Sequence, residues 1–301
     1  MSLTSIFNQK TSKDKEVTTF LRSHLPTAKD FHTISGNQPF AIKEYTLHVE
    51  NQLAKPHESG QLGIAFDYLF RLDIANQTKQ PFNLNQVVAM KGHQMIKERF
   101  PSNIFYDMHF MSAKTRMESH MHRTSIMTNY YRNAAKIYGA CYLFAQLELV
   151  FRSKVRPDEI NKDWLFLPKG SFINEFEQLQ ALAQKQVISE LSPKDTITYN
   201  PNFGYGSHLV RGADADIVIN DMLIDVKTTK NPGYRWQDIA QLVGYYFLNQ
   251  INAKYGTTVS LNFSKVALYK ARFGEMETID LGAFYGDRVD QITEDLYDLL
   301  Q

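Results

Sequence analysis

The pattern of apolar and polar positions divides the chain into a helical stretch followed by a strand-rich one. In QLGIAFDYLFRLDIA, the residues Leu62, Ala65, Phe66, Leu69, Phe70 and Ile74 recur at helical spacing and predict a buried helix. Helical spacing persists from about 84 to 155, most clearly in MTNYYRNAAKIYGACYLFAQLELVFRSK, whose basic last turn precedes Pro157. DWLFLPKGS then predicts a loop with one apolar knot, and FINEFEQLQALAQKQVISEL a further helix that Pro193 follows. After Asp195 the character changes. ITYNPNF, SHLVRGADADIVIN and MLIDVKTT are rich in β-branched residues between turn formers and predict strands. WQDIAQLVGYYFLNQINAKYG predicts an amphipathic helix with Gly256 as its cap, and TVSLNFSKVALYKARFG returns to strand. Helices followed by strand, strand, helix and strand describe an α/β fold with a mixed central sheet flanked by helices. The expected division is an N-terminal segment over 1–60, a mostly helical region over 61–192 and a sheet-bearing core over 193–301, within one elaborated domain. In the first segment only the apolar alternation from Phe40 to Leu47 stands out.

Composition narrows the chemistry. The chain has 301 residues, 43% hydrophobic and 22% charged, enough for a large core. No run approaches the roughly 18 apolar residues of a membrane span, and MSLTSIFNQKTSKDKE lacks the apolar stretch of a secretory signal, so a cytoplasmic location is expected. A single cysteine, Cys141, leaves no partner for an intramolecular disulfide and no thiolate cluster for zinc or iron–sulfur, so a metal would need oxygen or imidazole donors. A net charge of +1 gives no global field for nucleic acid, although a local basic groove would suffice.

One segment carries chemistry. Asn220-Asp221 lies between DADIVI and MLIDVK, a strong signal for a hairpin with a two-residue turn. That turn pairs Ile219 with Met222 and carries Asp216 directly opposite Asp225, with Cβ atoms about 4.5–5.5 Å apart. Lys227 points the same way as Asp225, while Ile217, Ile219, Ile224 and Val226 take the other face. Two acids this close destabilise a sheet unless something compensates, and a hard divalent ion does so. A solvated Asp/Lys pair on a surface hairpin is the plainer alternative. It sits poorly with LIDVKTT, which is apolar enough for a central strand.

GADADIVINDMLIDVKTTK resembles the core motif of the PD-(D/E)XK nuclease superfamily, with Asp216 at the first acid position and Asp225-Val226-Lys227 as the acid-x-lysine. The proline of the family name is absent. Beyond it, Gln241-Leu242-Val243-Gly244-Tyr245 resembles the Q-x-x-x-Y motif of the RecB-like exonuclease branch, with Gln237, Gln241 and Tyr245 on one helical face. The G-x-x-x-H helix of that branch has a partial counterpart in Gly63 to Asp67, where aspartate replaces histidine. The resemblance covers about 195–250 well and 60–75 loosely, which makes the stretch from 84 to 192 a large helical insertion in a restriction-endonuclease-like core.

The resemblance implies a Mg²⁺- or Mn²⁺-dependent deoxyribonuclease acting on DNA. Asp216, Asp225 and the Val226 carbonyl would bind the metal, Lys227 would orient or deprotonate water, and Gln241 and Tyr245 would position the phosphate backbone. It also implies a glutamate on a neighbouring helix. Glu148, in the otherwise apolar CYLFAQLELVF, is one choice, with Glu175, Glu177, Glu190 and Asp67 as rivals, and Arg152 and Arg71 offer plain ion-pair explanations for Glu148 and Asp67. Arg116, Arg123, Arg132 and Lys136 are possible phosphate contacts, and Lys230, Arg235, Lys270 and Arg272 are expected basic neighbours of the acids. His120 and His122, two apart on a helix, face different ways and are expected to be structural or surface residues. A catalytically silent DNA-binding protein and a site-specific endonuclease are the alternatives to an exonuclease.

Overall fold

The β-branched runs after Asp195 assemble into a mixed sheet centred on the hairpin. The computed structural model describes residues 3–8, 10–53, 56–122, 130–153 and 170–301. Among these, six strands, β1 (His32–Thr33), β2 (Ile197–Tyr199), β3 (Ile217–Ile219), β4 (Met222–Lys227), β5 (Lys265–Lys270) and β6 (Glu275–Asp280), form one sheet in the order β1-β6-β5-β4-β3-β2. β3 and β4 pair antiparallel with Ile217 opposite Ile224, Val218 opposite Leu223 and Ile219 opposite Met222, the register expected from an Asn-Asp loop. Asn220 adopts a left-handed φ of 54°, which asparagine tolerates, and its side chain accepts a hydrogen bond from Thr196 N–H at 2.9 Å. β4 and β5 run parallel, so the chain must cross over between them, and the helix Trp236–Tyr255 makes that crossing.

Contacts group the chain into two units. The first contains Met1–Thr46, Thr196–Lys227 and Asn231–Gln301 and holds the whole sheet. One sheet face, carrying Val218, Leu223, Val266 and Leu268, shares a core with Leu242, Val243, Phe247 and Ile251 of the Trp236–Tyr255 helix. Helices Leu3–Ile6, Ser12–Ser23 and Val289–Leu300 add Leu3, Val17, Leu21, Ile292 and Leu296 to it. The strand expected through SHLVRG is instead the end of a short helix, Gly204–Leu209. Gly206 explains this: a Cβ there would lie 2.2 Å from the Leu248 carbonyl oxygen, so the short helix packs backbone to backbone on the long one. The alternation from Phe40 to Leu47 forms turns, with Phe40 at a φ of 59°. In TVSLNFSKVALYKARFG only Lys265–Lys270 is strand.

The second unit, Leu47–Asp195 with Thr228–Lys230, is helical. Its helices Pro56–Thr78, Ala89–Arg99, Ile104–Met121, Tyr130–Ser153 and Gly170–Gln186 cover the runs whose spacing predicts them. Gly92 permits the closest approach, since a Cβ there would lie 1.8 Å from the Leu147 carbonyl oxygen. His120 is buried and its Nε2 lies 2.5 Å from Asp73 Oδ1, while Gln180 donates to Asp73 Oδ2 at 2.8 Å; His122 is exposed. DWLFL, Lys169 and Arg123 fall outside the described residues, as does the side chain of Arg132. Among the described residues no helix is long and apolar enough to cross a membrane.

Candidate functional site

The site is built at the end of β4 and on the first turns of the helix that follows it. Asp225 and Lys227 alternate with Ile224 and Val226, so they share the face that Leu223 presents to the helix. Asp216 stands just before β3, in line with Asp225 by the register of the pairs that follow. Its main chain is fixed by Asn200, whose N–H donates to the Asp216 carbonyl at 3.1 Å. Its carboxylate accepts the Val226 N–H at 2.8 Å, which ties the first acid to the peptide between the second acid and the lysine.

Asp225 is 2% exposed. Burial pushes its carboxyl up to about 7 from an ordinary value of 3.8, with the Asp216 charge adding to the rise and the Lys227 ammonium opposing it. Lys227 Nζ lies 2.6 Å from Asp225 Oδ2. Burial works against that ammonium, but the neighbouring charges of Asp225, Asp238 and Asp216 outweigh it and raise the lysine above its ordinary value.

A directed hydrogen-bond chain leaves the lysine. Lys227 Nζ donates to Gln241 Oε1 at 3.1 Å, Gln241 Nε2 donates to Tyr245 OH at 2.8 Å, and Tyr245 OH donates to the Asp214 carbonyl at 2.9 Å. The chain closes on the segment that carries Asp216, so the two motifs of the sequence form one network. Burial, reinforced by the charge of Asp225, pushes the Tyr245 phenol well above its ordinary range, so it stays protonated and able to donate. Gln237 is exposed and outside this network.

Asp238 joins the site without any motif to mark it. Its Oδ1 lies 4.0 Å from Lys227 Nζ and its Oδ2 lies 3.8 Å from Arg235 Nε. Its position in the helix was legible, in the first turn of a predicted amphipathic helix, but its approach to Lys227 depends on how the intervening loop folds.

The remaining expected residues have other partners. Glu148 is gripped from both sides, by Tyr68 OH at 2.8 Å and by Arg152 Nε at 2.6 Å. Asp67 pairs with Arg71, Glu175 accepts the Gln52 N–H, and Glu177 and Glu190 are exposed. Lys270 is buried against Glu277 Oε2 at 2.9 Å and lies over the Phe40 ring at 4.4 Å, so its charge is spent in a separate ion pair. Arg272 is buried, while Lys230, Arg116 and Lys136 are exposed.

Among the described residues no group of three or more His, Cys, Asp or Glu side chains forms a metal cage. A cation at the acid pair would therefore draw its remaining ligands from main-chain carbonyl, water and substrate oxygens, as Mg²⁺ sites commonly do. Comparison with family models, with curated proteins and with solved structures finds no match to this chain.

Proposed function

We propose that the chain is a Mg²⁺- or Mn²⁺-dependent nuclease of the PD-(D/E)XK type that hydrolyses DNA phosphodiester bonds in an exonuclease-like manner. The observation that carries this reading is the single network joining Asp216, Asp225, Lys227, Gln241 and Tyr245. A buried carboxyl pushed up to about 7 beside a second acid is a poor structural element and a good half of a cation site, so the donor set fits a hard divalent ion. Asp216, Asp225 and the Val226 carbonyl would hold it, and Glu148 is left to Tyr68 and Arg152.

When bound, the cation supplies Lewis-acid polarisation of the scissile phosphate and a lowered pKa for its water. Lys227, kept charged by its acidic neighbours, offsets negative charge that develops on the phosphoryl oxygens. Gln241 limits where the ammonium can go, and Tyr245 fixes the orientation of the Gln241 amide. The exonuclease preference comes from the likeness of Gln241 and Tyr245 to the RecB-like motif.

The test is incubation with linear and circular, single- and double-stranded DNA in Mn²⁺, for the full chain and for Lys227→Ala. Cleavage of linear DNA by the unaltered chain alone is expected. Binding of DNA with no cleavage of any substrate would leave the silent DNA-binding alternative in place, and cleavage of closed circles would favour the endonuclease.

A further inference from the structure

We infer that Asp238 is a positioning residue that receives the Lys227 ammonium when a divalent cation takes Asp225, an inference that rests on the metal-binding reading above. Lys227 Nζ sits 2.6 Å from Asp225 Oδ2, so the ammonium occupies one of the two carboxylate oxygens that a cation on Asp225 would draw on. Asp225 is almost completely buried, and water screens little between two positive charges placed there. Loading the site therefore displaces the ammonium.

Its destination is defined by what surrounds it. Among the described residues Lys227 has two acids as ion-pair partners, Asp225 and Asp238. Gln241 Oε1, 3.1 Å away, is an acceptor that the lysine can keep while it turns. Asp238 Oδ1 waits at 4.0 Å, beyond a direct hydrogen bond but within a short swing of a flexible side chain. Arg235 lies nearer the other carboxylate oxygen, at 3.8 Å, which leaves Oδ1 turned to the lysine. Asp238 is also rigidly placed: its N–H donates to the Arg235 carbonyl at 3.0 Å in the first helical turn, where an acid is favoured. Moving from Asp225 to Asp238 keeps the lysine charged and beside the site while freeing the oxygen.

The experiment is Mn²⁺ titration by calorimetry on the full chain, on Asp238→Asn, on Lys227→Met and on the double variant, each checked for native circular dichroism and cooperative unfolding. Asp238→Asn should weaken Mn²⁺ binding about tenfold, equivalent to about 1.4 kcal/mol, because the ammonium then has no second acid to pair with when it leaves Asp225. In the Lys227→Met background the same substitution should change affinity less than about twofold, since no ammonium competes. Asp238→Glu should restore both affinity and the rate of DNA cleavage at saturating Mn²⁺. Equal weakening in both backgrounds would make Asp238 a ligand or a simple field effect and overturn the inference, as would an unchanged affinity in Asp238→Asn. An unaltered chain that binds no Mn²⁺ would instead remove the metal-binding reading itself.

Discussion

Asp225 allows one expectation to be worked through from the geometry. Its folded-state value of about 7, against 3.8 ordinarily, means that the folded chain holds a proton that the unfolded chain releases across that interval. Below 3.8 both states are protonated and the site costs nothing. Between 3.8 and about 7 the metal-free protein loses stability as pH rises, and above that the loss levels off. A shift of about three units corresponds to a ceiling of about 4 kcal/mol. Local rearrangement and water entry take back part of it, and Asp225→Asn, which keeps the shape without the charge, should gain about 2 kcal/mol at pH 8 in EDTA. For a chain of 301 residues that is a Tm rise of about 3 °C. Lys227 retains Gln241 and Asp238 as neighbours in this variant. Thermal melts at pH 4 and pH 8 in EDTA measure it: the gain should be large at pH 8 and nearly absent at pH 4. Adding Mn²⁺ should then raise the melting temperature of the unaltered chain and leave the variant unmoved. A variant less stable than its parent at pH 8 without metal, or a change that does not depend on pH, would refute the reasoning.

Other expectations follow from particular contacts. Gly92→Ala forces a Cβ into the Leu147 carbonyl and should cost about 2–3 kcal/mol, read as a loss of the helical unit in urea unfolding; a cost near zero would mean the two helices separate freely. Lys270→Met strands the buried Glu277 carboxylate and should cost about 3–5 kcal/mol, much of it recovered when Glu277→Leu is added, and additive losses would contradict this. Tyr245→Phe removes the hydroxyl that bridges Gln241 to the Asp214 carbonyl; DNA cleavage should fall by about tenfold or more while Mn²⁺ affinity holds, and unaltered kinetics would detach this tyrosine from the site.

The hairpin register was legible because Asn220-Asp221 separates two short apolar runs, so one turn assignment sets every face. The order of Lys227 before Gln241 and Tyr245 was legible too, although the hydrogen bonds between them were not. The short helix at Gly204–Leu209 was hidden because tight packing of Gly206 on Leu248, rather than local propensity, decides its conformation. The helix Ser12–Ser23 carries a capping box of Thr11 and Asp14, a local signal open to a closer reading of that segment. In β6, Glu275 and Glu277 occupy buried positions where apolar residues would mark a strand; Ser35 and Tyr45 reach them from distant parts of the chain and Lys270 from the neighbouring strand β5. Asp238 escaped for the same reason: nothing local couples it to Lys227.

The grip of Asp216 on the Val226 amide has a further consequence. β3 is three residues long and begins after Asp216, so the β3–β4 ladder stops short of this acid, and the Asn200 N–H holds its main chain. The side chain, by holding the Val226 peptide, fixes the carboxylate, and its length becomes a dimension of the site. Glutamate in its place would conserve the charge but insert a methylene between backbone and amide, altering the bite of the proposed cation site. Chain length and charge at this position are therefore separate requirements, and the conservative exchange of one acid for the other is here a geometric change.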